Sequence, residues 1–120
     1  MKTWAVVGLG NNPERAAFGV AKLLQDRGHR IIPVYPRAET VHGELGYKNL
    51  SEIPGPVDVV DCFVNSTHVG KVVDEAIAIG AKAVWLQLDV IDNNAIARAL
   101  AAGLITVMDR CPAIEYRKKN

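Results

Sequence analysis

A strong charge of either sign is missing from this chain. Lys and Arg number 14 against 13 Asp and Glu, a formal +1. A general nucleic-acid or membrane-surface binder needs a basic excess that this sequence lacks. Cysteine is scarce. Cys62 and Cys111 stand far apart and outside any CxxC spacing, which argues against a disulfide framework or zinc cluster and for a reducing cytoplasm. The histidines, His29, His42 and His68, have no metal-ligand spacing. No apolar run approaches the ~18 residues of a membrane span. The N-terminal stretch MKTWAVVGLGNNPE has too short an apolar run for a signal peptide and leads straight into a strand-and-loop pattern. What the chain does have is apolar residues, 49% of 120, enough for one core at the common size of a single domain.

Short apolar runs alternate with longer amphipathic ones. Thr3–Leu9 reads as a buried strand, followed by Glu14–Arg27 with Ala17, Val20, Ala21 and Leu24 at helical spacing. Gly28 stops that helix. Arg30–Tyr35 is a second strand. Residues 36–56 form a long connection rich in Gly and Pro, with room for a short helix around Leu50–Ile53. Val57–Val64, Lys82–Gln87 and Leu104–Met108 read as strands, and Ser66–Ile79 and Asp92–Ala102 as helices ended by Gly80 and Gly103. The tail, Asp109–Asn120, is polar and expected to be partly helical.

Near-continuous apolar strands are buried on both faces, which implies a parallel sheet with helices on each side. The expected fold is therefore α/β: one Rossmann-like, doubly wound domain of five strands spanning residues 1–120. Order 3-2-1-4-5 is favoured, with the flavodoxin-like 2-1-3-4-5 as the alternative. Ligands of such sheets bind at the carboxyl ends of the strands where strand order reverses, so the loop after the first strand matters most.

That loop reads GLGNNPER. Gly8 and Gly10 permit a tight turn and close backbone approach. Asn11 or Asn12 is placed to cap the helix, with Pro13 at its first position. Free N–H groups and the helix dipole would then face an anion, and Arg15 sits one turn further in. The third glycine of GxGxxG is absent, its place taken by Pro13. After the second strand, where a dinucleotide-binding unit usually has an acid for the ribose diol, the chain has Tyr35, Pro36 and Arg37. An arginine fork suits a phosphorylated ribose, so Arg37 favours NADP or coenzyme A. A dehydrogenase needs a place to hold substrate against the nicotinamide. A chain of this length without a proton-transfer constellation fits coenzyme A better.

GLGNNPER, VYPRAE, VDVVDCF, DEAIAIGAKAVWLQ and VMDRC together resemble the small stand-alone CoA-binding proteins, relatives of the CoA-binding domain of the succinyl-CoA synthetase α-subunit. The resemblance covers nearly the whole chain. It implies a Rossmann-like domain that binds coenzyme A without catalysis of its own. Carried over by position, Gly8, Gly10, Asn11, Asn12, Pro13 and Arg15 would hold the pyrophosphate, and Arg37 would face the adenosine phosphate. The loop after the third strand, with Asn65, would flank the adenine, and Gln87 would lie near the pantetheine. The sequence departs from the family at Val64-Asn65, where relatives often carry basic residues. It also departs at Ala17, often a small hydroxyl residue, and at Asp89, usually glycine.

Cys62, inside the third strand, reads as an inert core thiol. Cys111 follows Asp109-Arg110 at the carboxyl edge of the fifth strand. A coenzyme A lying along the sheet would send its thiol toward Gln87 and Cys111, where a mixed disulfide would make binding redox-sensitive. Asp58, Asp61, Asp74 and Glu75 read as structural or solvated carboxylates, and Arg117-Lys118-Lys119 as a solvated tail. Three function classes follow: a CoA-binding protein without catalysis, an NADP-dependent reductase or CoA enzyme completed by a partner chain, and an interaction subunit that docks on a larger CoA-dependent enzyme, with a homodimer as the other partner expected.

Overall fold

The computed structural model describes residues 2–112. The expected helical tail and its basic end, Arg117-Lys118-Lys119, lie outside the described residues. Five strands alternate with three helices: β1 Thr3–Val7, α1 Ala16–Asp26, β2 Arg30–Val34, β3 Val59–Cys62, α2 Val69–Ala78, β4 Ala83–Leu86, α3 Asn93–Ala101 and β5 Ile105–Val107. A single 3-10 turn at Leu50–Glu52 interrupts the connection from β2 to β3, capped by Asn49, whose side chain accepts the Glu52 N–H at 3.2 Å. Asp92 caps α3 in the same manner, accepting the Ala95 N–H at 3.0 Å. Among the described residues no helix is long and apolar enough to cross a membrane.

All four pairings between the strands are parallel, and apolar residues of alternating parity line the two faces. Trp4, Val6, Ile31, Val59 and Ala83 face Ala17, Val20, Ala21 and Leu24 of α1. Ala5, Val7, Ile32, Val60, Cys62, Val84 and Leu86 face α2 and α3. This two-sided burial is what near-continuous apolar strands require. Cys62 is fully buried, as expected of a core thiol.

The strand order corrects the favoured expectation. It is β2-β1-β3-β4-β5, the 2-1-3-4-5 alternative. The reason lies on the outer edge of β2. Val34 O accepts the N–H of Gly8, just past β1, at 2.8 Å, so Pro33 turns its carbonyl and its donor-less nitrogen to the opposite edge. Proline cannot donate to a ladder and is confined to sheet edges. In place of a third strand, the connection leaves one bridge there: Tyr47 N–H donates to Pro33 O and Tyr35 N–H to Tyr47 O, both at 2.9 Å. The chain then crosses β1 and pairs β3 on its far side. The reversal of strand order still falls at β1, now between the loops that follow β1 and β3.

Candidate functional site

The loop after β1 is shaped by close packing. Gly8 has φ of 100°, and a Cβ there would stand 2.7 Å from the Phe63 carbonyl oxygen at the end of β3. A Cβ on Gly10 would stand 2.8 Å from Glu39 Oε1. That oxygen accepts the Asn11 N–H at 3.2 Å, and Asn11 Nδ2 donates to Thr40 O at 2.8 Å. The expected helix start is corrected here. Neither asparagine caps α1, and Pro13 precedes the helix. Asn12 Oδ1 instead accepts the Glu14 N–H at 3.0 Å, and Arg15 N–H donates to Asn12 O at 3.1 Å. This local side-chain bond competes with helix entry, so the chain turns once more and α1 begins at Ala16, with Arg15 at its N-cap.

At the exit of β2, Ala38 N–H donates to Tyr35 O at 2.8 Å. The four residues Tyr35 to Ala38 thus form a β-turn with Pro36 at its second position, where its fixed φ fits. The turn presents an exposed Arg37 to the first loop. Gly8, Gly10, Asn11, Asn12, Arg15 and Arg37 line one cleft of about 330 Å³ with Tyr35 and Glu39. Six residues singled out in sequence are therefore brought together. Pro13 is exposed and is not part of that lining.

A second cleft, about 500 Å³, meets the first at Gly8, Arg15 and Tyr35. It opens between the ends of β1, β2 and β3, as the observed strand order demands. Its walls include Val34, Phe63, Val64 and Val72, with Lys48, Asn65 and His68 among its polar groups. Asn65 has a second, structural task. Its Oδ1 accepts the Thr67 N–H at 3.0 Å, and its carbonyl accepts the N–H groups of His68 and Val69 at the start of α2. Sequence reading missed Tyr35 as a wall of both clefts, Glu39 on the loop, and Lys48. No local pattern marks Lys48; it reaches the cleft because Tyr47 is bridged to β2. Pro33 was the available signal for that bridge.

Gln87 and Cys111 line neither cleft. Gln87 is 5% exposed, its side-chain oxygen has no hydrogen-bond partner, and its backbone donates to Cys62 O at 3.3 Å and accepts from Val90 N–H at 2.9 Å. Cys111 is half-buried, packed like Phe63 and Trp85 against the core cluster that contains Trp4 and Val6. Asp89 has φ of 66°, in the left-handed region, which glycine adopts freely and Asp tolerates better than most residues. Its N–H donates to Asp109 Oδ1 at 2.7 Å, and its carboxylate is exposed.

Two other carboxylates differ sharply. Asp58 accepts the backbone N–H groups of Thr3 and Lys2 at 3.0 and 2.9 Å and pairs with Lys82 at 3.2 Å. Those backbone donors, with Lys82 assisting, lower its pKa to about 2. Asp61 is not solvated. It stands in β3 in register with Val6 and Trp85, fully buried, with no hydrogen-bond partner on either oxygen. Burial pushes its pKa well above the usual carboxylate range.

Residues 2–117 match the family model described as a CoA binding domain. Among known proteins, the chain is 34% identical over 115 residues to the uncharacterized protein YneT of Bacillus subtilis, covering 96% of this chain and 85% of that protein. It is 36% identical over 81 residues to the alpha subunit of ADP-forming acetate–CoA ligase II of Pyrococcus furiosus, covering 67% of this chain but 18% of that subunit. Among solved structures, a hypothetical protein from Pyrococcus horikoshii OT3 superposes with a TM-score of 0.93 at 38% identity, covering 98% of this chain and 82% of that one.

Proposed function

The chain belongs to the CoA binding domain family, and from that premise we propose that it binds coenzyme A or a CoA thioester across the two joined clefts. One observation carries this reading. The first loop and Arg37, 22 or more residues apart in sequence, meet in one cleft that brings Arg15 and Arg37 together. Backbone N–H groups at a strand-turn-helix loop suit a diphosphate. Arg37, exposed on its proline turn, suits the 3′-phosphate. The second cleft has an apolar wall of Tyr35, Phe63 and Val64 for the adenine, and Lys48 offers a second cation beside it. In this reading the protein is a binding module rather than a catalyst, in a reducing cytoplasm where Cys62 stays a free thiol and Cys111 is one until it meets a disulfide of the ligand.

Cys111 belongs to the finer part of the proposal. In exchange with the disulfide of coenzyme A, its thiolate attacks one sulfur, forms the mixed disulfide and releases one CoA thiol. For that step the pantetheine arm must run from the clefts past Gln87 to the half-buried thiol.

A second reading is favoured by the ligase α-subunit, of which the matched stretch covers 18%. There the module docks on a larger CoA-dependent enzyme and supplies its CoA site. Calorimetric titration of the reduced protein with coenzyme A, dephospho-CoA, NADP and NAD tests the primary reading. Coenzyme A is expected to bind tightest and to lose affinity without its 3′-phosphate. Absence of binding to coenzyme A sinks the reading.

A further inference from the structure

The diphosphate cradle already holds an anion, and that anion comes from the chain itself. Glu39 follows the Tyr35–Ala38 turn, past Ala38 in the left-handed conformation at φ of 51°. Its carboxylate Oε1 accepts the Asn11 N–H at 3.2 Å and fills the space where Gly10 has no side chain. The next residue adds a second point of attachment, Asn11 Nδ2 to Thr40 O at 2.8 Å. Residues 39–40 therefore clasp the loop through Asn11. Glu39 thus occupies one backbone donor of a residue that lines the cleft. Arg15 and Arg37 line the same cleft, yet neither forms an ion pair with Glu39 among the described residues.

We propose that Glu39 determines which ligands this cleft accepts and how tightly, as a resident carboxylate that a ligand phosphate must displace from Asn11. The inference rests on the reading of the cleft as a diphosphate site. A diphosphate entering the cleft meets a like charge and lacks one backbone donor until the Glu39 side chain turns away, its backbone staying packed against Gly46. Release of the carboxylate then exposes the N–H of Asn11, while Thr40 O keeps the side-chain amide. A ligand without a phosphate at this point has nothing with which to displace Glu39. The carboxylate thus selects for diphosphates by requiring an anion strong enough to replace it, while holding their affinity down.

The test is a titration of the intact protein with inorganic pyrophosphate at low ionic strength, read by calorimetry and by the amide shift of Asn11. Glu39→Gln, which removes the charge, is expected to bind pyrophosphate roughly tenfold tighter than the wild type. Glu39→Asp, one methylene shorter, should also gain affinity because it no longer reaches Asn11. Glu44→Gln, which removes a neighbouring charge without touching the clasp, should change affinity less than about twofold. Equal or weaker pyrophosphate binding by the folded Glu39 variants overturns the proposal, and so does a failure of pyrophosphate to bind any form. The two readings fail separately. If coenzyme A binds the wild type and Glu39→Gln alike, the role of Glu39 falls and the CoA reading stands. If coenzyme A binds neither while pyrophosphate still gains in Glu39→Gln, the CoA reading falls and the role of Glu39 stands.

Discussion

Tyr47 and Val34 form a single parallel bridge on the outer edge of β2, and that bridge organises both clefts. It ties the long connection to the strand end through two 2.9 Å hydrogen bonds. On one side of it, the turn at Pro36 presents Arg37; on the other, Lys48 enters the second cleft. One backbone contact thus sets the spacing of two cations around Tyr35.

Arg37 is expected to act on one phosphate only. Arg37→Ala should weaken coenzyme A by about 1.5–3 kcal/mol, the usual range for a hydrogen bond to a charged group. Dephospho-CoA should bind the variant and the wild type alike. Paired calorimetric titrations check this. An equal loss for both ligands would place the 3′-phosphate elsewhere, Lys48 being the next cation to test.

Gly8 is needed for packing as much as for any ligand. Gly8→Ala forces a Cβ within 2.7 Å of the Phe63 carbonyl oxygen while φ stays at 100°. The expected cost is about 2–4 kcal/mol from clash and left-handed strain together. Urea unfolding of the ligand-free protein measures it. A variant of unchanged stability would mean that β1 and β3 separate at this end at little cost.

The two perturbed aspartates predict opposite pH dependences. Asp58 has a folded pKa of about 2, so the stability it contributes is present above the ordinary carboxylate pKa, about 3.9. That stability is lost as pH falls toward 2, and Asp58→Asn should flatten this limb. Asp61 is raised instead. The folded state holds its proton, so stability is full below about 3.9 and falls as pH rises toward the folded value. Asp61→Asn should abolish that second slope. Asp61→Val, which also removes two unpartnered buried oxygens, should add about 1–3 kcal/mol at neutral pH. Denaturant midpoints measured from acid to neutral pH read both limbs.

Cys111 predicts a mass change. After incubation with the disulfide of coenzyme A, the intact protein should gain one CoA moiety that dithiothreitol removes. Cys111→Ser should lose the adduct, whereas Cys62, fully buried and with its thiol pKa pushed up by burial and by Asp61, should not react. An adduct that persists in Cys111→Ser counts against the pantetheine path past Gln87.

The sequence by itself determined the architecture and the loop that lines the first cleft. Strands such as TWAVV and RIIPV have apolar residues in both parities, and only a sheet covered on both faces buries them. The helix stops at Gly28, Gly80 and Gly103 fall where the pattern marked them, each with positive φ. The loop GLGNNPER and Arg37 are local signals, readable because turn geometry and charge depend on near neighbours. Tertiary structure alone decided which residues share a cleft. Strand order turned on whether the outer edge of β2 could accept a third strand, and Pro33 together with the Tyr47 bridge left no room for one. Glu39 reaches Asn11 across 28 positions of sequence, Lys48 enters through a bridge, and Gln87 turns inward instead of toward the clefts. No periodicity encodes such contacts, because they depend on how the connections pack once the sheet has formed.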